Sequence, residues 1–181
     1  WLEWHDNGQA KSRGTYDEGQ ENGDFQAWHP TGAMDWSGHF ERGAKHGEFV
    51  SYRVDGSVAS RLQWRFDKRQ GPARTFHPSG KTATETVYVD DVVTGTIRAW
   101  HDGGGLESET DYVLGKRHGR AARYYVGGRL ASIGTYDDDV LHGLYQSWRD
   151  AGSFEAAVCY VRGEKSWATA NEAEAKVRVC P

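Results

Sequence analysis

Apolar and polar residues alternate along Met34-Asp35-Trp36-Ser37-Gly38-His39-Phe40. A period of two is the signature of a half-buried β-strand, because successive side chains leave opposite faces. The pattern returns every 24 residues. An apolar residue opens each stretch (Ala10, Met34, Val58, Leu106, Leu130, Phe154) and an aromatic closes it (Tyr16, Phe40, Trp64, Tyr88, Tyr112, Tyr136, Tyr160). Small residues such as Ser12, Gly14, Gly38 and Ser132 lie between, leaving room for rings to cross the strand. The alternate positions are largely polar, among them Lys11, Arg13, Arg61, Gln63, Glu107, Glu109 and Asp111.

A second aromatic column keeps the same step: Trp4, Trp28, Tyr52, Phe76, Trp100, Tyr124 and Trp148. Glycines punctuate both columns. One set is Gly8, Gly32, Gly56, Gly80, Gly104, Gly128 and Gly152; another runs from Gly23 to Gly143 and is broken by Trp167. A third position reads Gly19, Gly43, Asp67, Asp91, Gly115, Asp139 and Gly163, residue types that tolerate left-handed backbone angles. Each 24-residue unit therefore predicts two short strands and two turns. In the first strand of the unit, as in Asp24–His29, Phe25 and Trp28 have opposite parity. Either a bulge separates them or Trp28 belongs to the turn.

The expected fold is all-β: an elongated single antiparallel meander of about seven stacked hairpins, with a repeat array over residues 1–166 and a capping tail over 167–181. Its core is expected from the fourteen column aromatics. The tail is off-period, with a helical candidate at Ala168–Lys176 and a strand-like Val177–Cys180, and is expected to fold back on the last strand.

Composition changes this picture little. Aromatics reach 13% against a hydrophobic fraction of 37%, so rings must carry much of the burial. The formal net charge of −4 argues against a nucleic-acid partner. No apolar run approaches the roughly 20 residues that span a bilayer. The chain opens on Trp1 in mid-repeat, so a processed segment is expected, with any membrane contact made through an anchor upstream.

The tile Gly-x-aromatic-x-x-aromatic, turn, Gly, aromatic-x-x-Gly-x-x-x-Gly resembles the MORN repeat in its bacterial variant form. "GEFVSYRVDGS" from Gly47 and "GLYQSWRDAGS" from Gly143 carry the likeness most closely. It spans Trp1 to about Lys165, with Ala73 and Ala121 departing at the first apolar position. The resemblance implies an array of stacked hairpins acting as a scaffold or protein-binding surface. It also implies, for some bacterial members, an antitoxin-like role in neutralising a partner protein.

Catalytic and metal chemistry find little support. His5, His29, His77 and His101 recur at one repeat position and His46, His118 and His142 at another. Equivalent sites two strands apart lie about 9–10 Å from each other, too far to share an ion. Asp137, Asp138 and Asp139 form a turn without the further oxygen ligands that calcium needs. No nucleophile elbow or phosphate loop occurs. The basic residues Arg53, Arg61, Arg65, Lys68, Arg69 and Arg74 alternate over both faces and read as a solubilising surface. Cys159 and Cys180 are expected to form a disulfide stapling the tail, which places the chain in the periplasm, at the cell surface or outside the cell; free thiols would place it in the cytoplasm. The leading expectation is a non-enzymatic, cofactor-free, exported bacterial module that binds another protein, within a larger assembly or alone. The alternatives are a toxin-neutralising protein and a carbohydrate- or lipid-binding surface protein that uses exposed Trp side chains.

Overall fold

The computed structural model describes all 181 residues, Trp1–Pro181, which fall into two compact units, Trp1–Val92 and Val93–Pro181. In the first unit the strands are β1 (Leu2–Trp4), β2 (Ala10–Arg13), β3 (Tyr16–Asp17), β4 (Gln20–Glu21), β5 (Gly23–Trp28), β6 (Met34–Glu41), β7 (Ala44–Tyr52), β8 (Val58–Arg65), β9 (Lys68–Phe76) and β10 (Thr82–Val89). The second begins with β11 (Val92–Trp100) and continues through β12 (Leu106–Val113), β13 (Lys116–Tyr124), β14 (Leu130–Asp137), β15 (Val140–Leu141), β16 (Gly143–Trp148), β17 (Phe154–Val161) and β18 (Glu164–Thr169). One short helix, α1 (Glu172–Val177), follows. In both units the long strands follow chain order and all pairs are antiparallel; β3 and β4 pair only with each other, so β2 meets β5, β15 pairs only with β14, so β14 meets β16, and no strand returns to close a barrel.

Two kinds of turn alternate. The tight ones centre on pairs such as Arg42-Gly43, Phe66-Asp67 and Asp138-Asp139, in which both residues have positive φ. That geometry defines the type I′ hairpin turn and explains why the position admits only Gly or Asp here. The turn amide then reaches back one repeat: Asp67 N donates to Lys45 O (3.1 Å), Asp91 N to Arg69 O (3.0 Å) and Asp139 N to Arg117 O (2.9 Å). Gly43, Gly115 and Gly163 make the same bond to Glu21, Val93 and Leu141.

The wider turns resolve the parity of Phe25 and Trp28. Ala27 pairs with Trp36, and its neighbour Trp28 pairs with Met34, so Asp35 is an extra residue in β6. The same one-residue slip recurs at Trp4, Tyr52, Trp100, Tyr124 and Trp148. Paired residues share a face and consecutive residues do not. Trp28 and Met34 therefore lie on one face, and Trp36 and Phe40 on the other. The apolar residue that opens each stretch thus does not share a face with the aromatic that closes it, as unbroken alternation had implied. The bulge carries it across.

The tail differs from expectation in detail. Trp167, in place of the column glycine, lies inside β18, which pairs with β17 as the first half of an eighth unit. The helix is shorter than the sequence suggested, and Val177–Cys180 forms no strand. Asn171 caps α1, its side chain accepting from the Ala173 and Glu174 amides. Ala175 of α1 and Ala157 and Cys159 of β17 are buried, and Cys159 is joined to Cys180 by a disulfide.

Candidate binding surface

One face of the first unit is a continuous run of aromatic rings. Trp1, Tyr16, Phe25, Phe40, Phe49 and Trp64 follow one another edge to face, with centroid separations of 6.1, 5.6, 5.0, 5.4 and 6.1 Å. These are the spacings at which ring quadrupoles attract. Trp36 stacks on Phe49 at 5.9 Å and 22°. Phe25, Phe40 and Phe49 are buried, with Trp36 and Trp64 packed against them.

Backbone space makes the run continuous. A β-carbon at Gly14 would fall inside van der Waals contact of the Phe25 ring, and one at Gly38 would do the same to Phe49. In the second unit Gly134 stands in this relation to Tyr145, 2.9 Å away. Eleven residues separate each pair. Where the first position is larger, as at Leu62 and Thr110, the second is Ala73 and Ala121. Bulk is exchanged between adjacent strands, not added.

The fourteen column aromatics divide between the two faces. Phe40 is buried; Trp64, Tyr88, Tyr112, Tyr136 and Tyr160 are half-buried, and Tyr16 is exposed. In the other column Trp28, Tyr52, Phe76, Trp100, Tyr124 and Trp148 are half-buried and Trp4 is exposed. Trp148 meets its bulge partner Phe154 at 6.2 Å. The rings that bury most fully alongside Phe40 are Phe25 and Phe49, which lie outside both columns. The small residue eleven positions earlier is the sequence signal that marks them.

Cations sit over the aromatics that close each stretch. The Arg69 guanidinium stacks on Tyr88 at 4.2 Å and its Nε donates to Asp91 Oδ1 at 2.9 Å. Arg117, Tyr136 and Asp139 repeat the arrangement at 4.2 and 2.9 Å. Lys45 occupies the equivalent place, its Nζ 4.6 Å from the Trp64 ring centre and 5.3 Å from that of Phe49. Asp91 is held below the ordinary carboxylate range by the Arg69 amide and guanidinium. Asp139 is lowered by the Arg117 guanidinium and then its amide. The partners raise Arg69 and Arg117 in turn.

Between Trp36, Phe40, Phe49, Leu62 and Trp64 lies an open groove of about 280 Å³, with the Lys45 side chain at its lip. Its walls are mostly apolar; hydroxyls enter only at the end where Ser51 and Ser60 bond each other at 2.7 Å. The opposite face carries paired charges: His39 on Asp24 (2.8 Å), Arg61 on Glu48 (2.9 Å) and Arg74 on Glu85 (2.7 Å). Of the basic cluster read from the sequence, Arg61, Arg69 and Arg74 are thereby taken by three separate acids. Arg53 belongs to neither face pattern and donates to the backbone oxygens of Val58 and Phe76.

The histidines have several uses: His39 pairs with Asp24, His46 packs on Phe66 and His142 Nδ1 accepts the Arg162 amide. His5 Nε2 donates to Trp28 O at 2.8 Å and His101 Nε2 to Tyr124 O at 3.1 Å, while the Tyr125 hydroxyl donates to Trp148 O at 2.8 Å. The residue after the first aromatic thus brackets one hairpin to the next. His118, Asp137 and Asp138 converge at an exposed turn, with His118 Nδ1 3.2 Å from Asp137. Lys116 Nζ already stands 3.2 Å from Asp138, and Asp139 is taken by Arg117, so the group reads as a surface ion-pair cluster.

Compared with protein-family models and with curated proteins, the chain matches none.

Proposed function

We propose that this protein is a non-catalytic β-repeat module, MORN-like in its tile, that binds another protein. The observation that carries this reading is the aromatic face of the first unit. Its rings form a continuous apolar strip with an open groove, whereas the other face carries compensated charge. Phe25, Phe40 and Phe49 are themselves buried, so what a partner meets is the groove beside them, walled by the half-buried Trp36, Leu62 and Trp64; open, mostly apolar concavities are where ligands dock.

The disulfide fits an oxidising compartment, and the reading we propose is a bacterial protein that is periplasmic, at the cell surface or secreted. A scaffold and a toxin-neutralising protein would use the same surface; the identity of the partner separates them. No helix here is long and apolar enough to cross a membrane.

The test is affinity capture from the native host with the disulfide kept oxidised, followed by reconstitution with each purified candidate and calorimetry. The expected outcome is a complex of fixed stoichiometry with one protein. Heat released only by glycans or lipid vesicles, with no protein complex reconstituted, would overturn the reading.

A further inference from the structure

We infer that the groove at Lys45 receives an extended peptide segment of the partner, presenting a large apolar side chain and, two residues away, a carboxylate. This rests on the protein-binding reading and names where and how that binding occurs.

The argument begins with a cation that lacks its acid. In two other repeats the residue over the column aromatic is an arginine closed by an aspartate, Arg69 by Asp91 and Arg117 by Asp139. At the first occurrence Asp67 Oδ1 accepts only the Lys45 backbone N–H, at 2.9 Å. The ammonium instead reaches over Phe49 and Trp64 and forms no ion pair within the chain. A cation above rings, in an apolar setting, attracts an anion more strongly than one in open water. The chain supplies none there.

The groove itself sets the other half of the ligand. At about 280 Å³ it lies just under the roughly 300–1,000 Å³ of pockets that take drug-sized molecules, and it is open on one side. It accommodates one or two side chains of a longer segment whose backbone remains outside. Walls of Trp36, Phe49, Leu62 and Trp64 suit an aliphatic or aromatic group and offer little to a sugar ring, which needs converging polar partners. In an extended peptide, residues two apart share a face. An apolar residue in the groove therefore places the second residue beyond it at the Lys45 lip. Charge complementarity selects an acid at that place.

The probe is the blocked peptide acetyl-Gly-Leu-Ser-Asp-Gly-amide, titrated into the full oxidised chain with the tryptophan indole N–H resonances as readout. The expected result is movement of the Trp36 and Trp64 signals while those of Trp4 and Trp148 stay in place. Replacing Asp by Lys in the peptide, or Lys45→Gln in the protein, should each weaken binding roughly 2- to 5-fold, the worth of an exposed ion pair. The two changes together should weaken it little more than either alone. Silent Trp36 and Trp64 signals, equal response of all indoles, or indifference to charge would overturn the inference. So would concentration-dependent self-association that moves the same two signals without peptide. Should a reconstituted protein complex survive both Lys45→Gln and Leu62→Asp undiminished, the groove is not the docking site, while the protein-binding reading stands.

Discussion

The ring of Phe49 lies across Gly38, occupying the volume in which any side chain at that position would begin. Gly38→Ala must displace the ring or bend the strand. It should destabilise the protein by about 1–3 kcal/mol, the usual penalty of overpacking. Urea unfolding followed by tryptophan fluorescence checks this. Gly127→Ala, where nothing lies within 4 Å, should shift stability by no more than a few tenths of a kcal/mol. Adding Phe49→Leu to Gly38→Ala should recover part of the loss.

At Asp139 the backbone and the side chain make separate demands. The φ of 71° favours glycine, while the carboxylate engages Arg117 through Nε and through its amide. Asp139→Gly keeps the turn and loses the acid; Asp139→Ala loses the acid and strains the turn. Thermal unfolding should rank the proteins wild type, then Gly, then Ala. An Ala variant as stable as the Gly variant would show that the left-handed turn is not limiting.

Asp91, Asp139 and Glu109 all titrate below their ordinary range when folded. For Glu109 the Arg120 hydrogen bond is the main cause, and the Tyr124 hydroxyl adds to it. A carboxyl whose folded pKa is depressed binds protons more readily when unfolded. Its contribution is complete above the unfolded value and is lost as the pH falls through the folded one. The contribution of these three carboxylates to the unfolding midpoint should therefore be constant from neutral pH down to about 5. It should then fall as the pH drops through about 4 and below. Arg69→Leu and Arg117→Leu, combined, should make that acid limb shallower, and high salt should act in the same direction.

The disulfide closes a separation of 21 residues. Loop-entropy reasoning assigns such a link about 3 kcal/mol. Cys180→Ser is the informative variant, because Cys159 is fully buried and its change would also disturb packing. The variant should unfold at lower urea and yield rapid tryptic cleavage at Lys176 and Arg178 while Lys11 to Arg162 remain protected. Non-reducing mass spectrometry of the wild type should detect no free thiol.

The turn chemistry and the hairpin order were legible because each depends on a few residues at fixed spacing. Gly43, Asp67 and Asp139 announce their backbone angle by residue type alone. The placement of Phe25 and Trp28 was not, since alternation cannot reveal on which strand an extra residue sits. Asp35 looks like any polar strand residue until its partner is known. Column counting also favoured recurrence over fit. Trp4 recurs and is exposed, whereas Phe49 belongs to no unbroken column and is buried because Gly38 makes room for it. The Lys45 lip was hidden for a similar reason: its character comes from what Asp67 does not do.

The arginine of each stacked pair and the acid that closes it belong to different tiles, Arg69 with Asp91 and Arg117 with Asp139. A gene encoding such a chain can grow or shrink by unequal exchange between its own copies, yet the crossover point is not free. A cut that parts donor from acceptor leaves an acid facing valine or leucine, or a guanidinium facing glycine. Duplication is therefore silent only when neighbouring half-tiles travel together, so the unit inherited is the seam between two hairpins and not the hairpin itself.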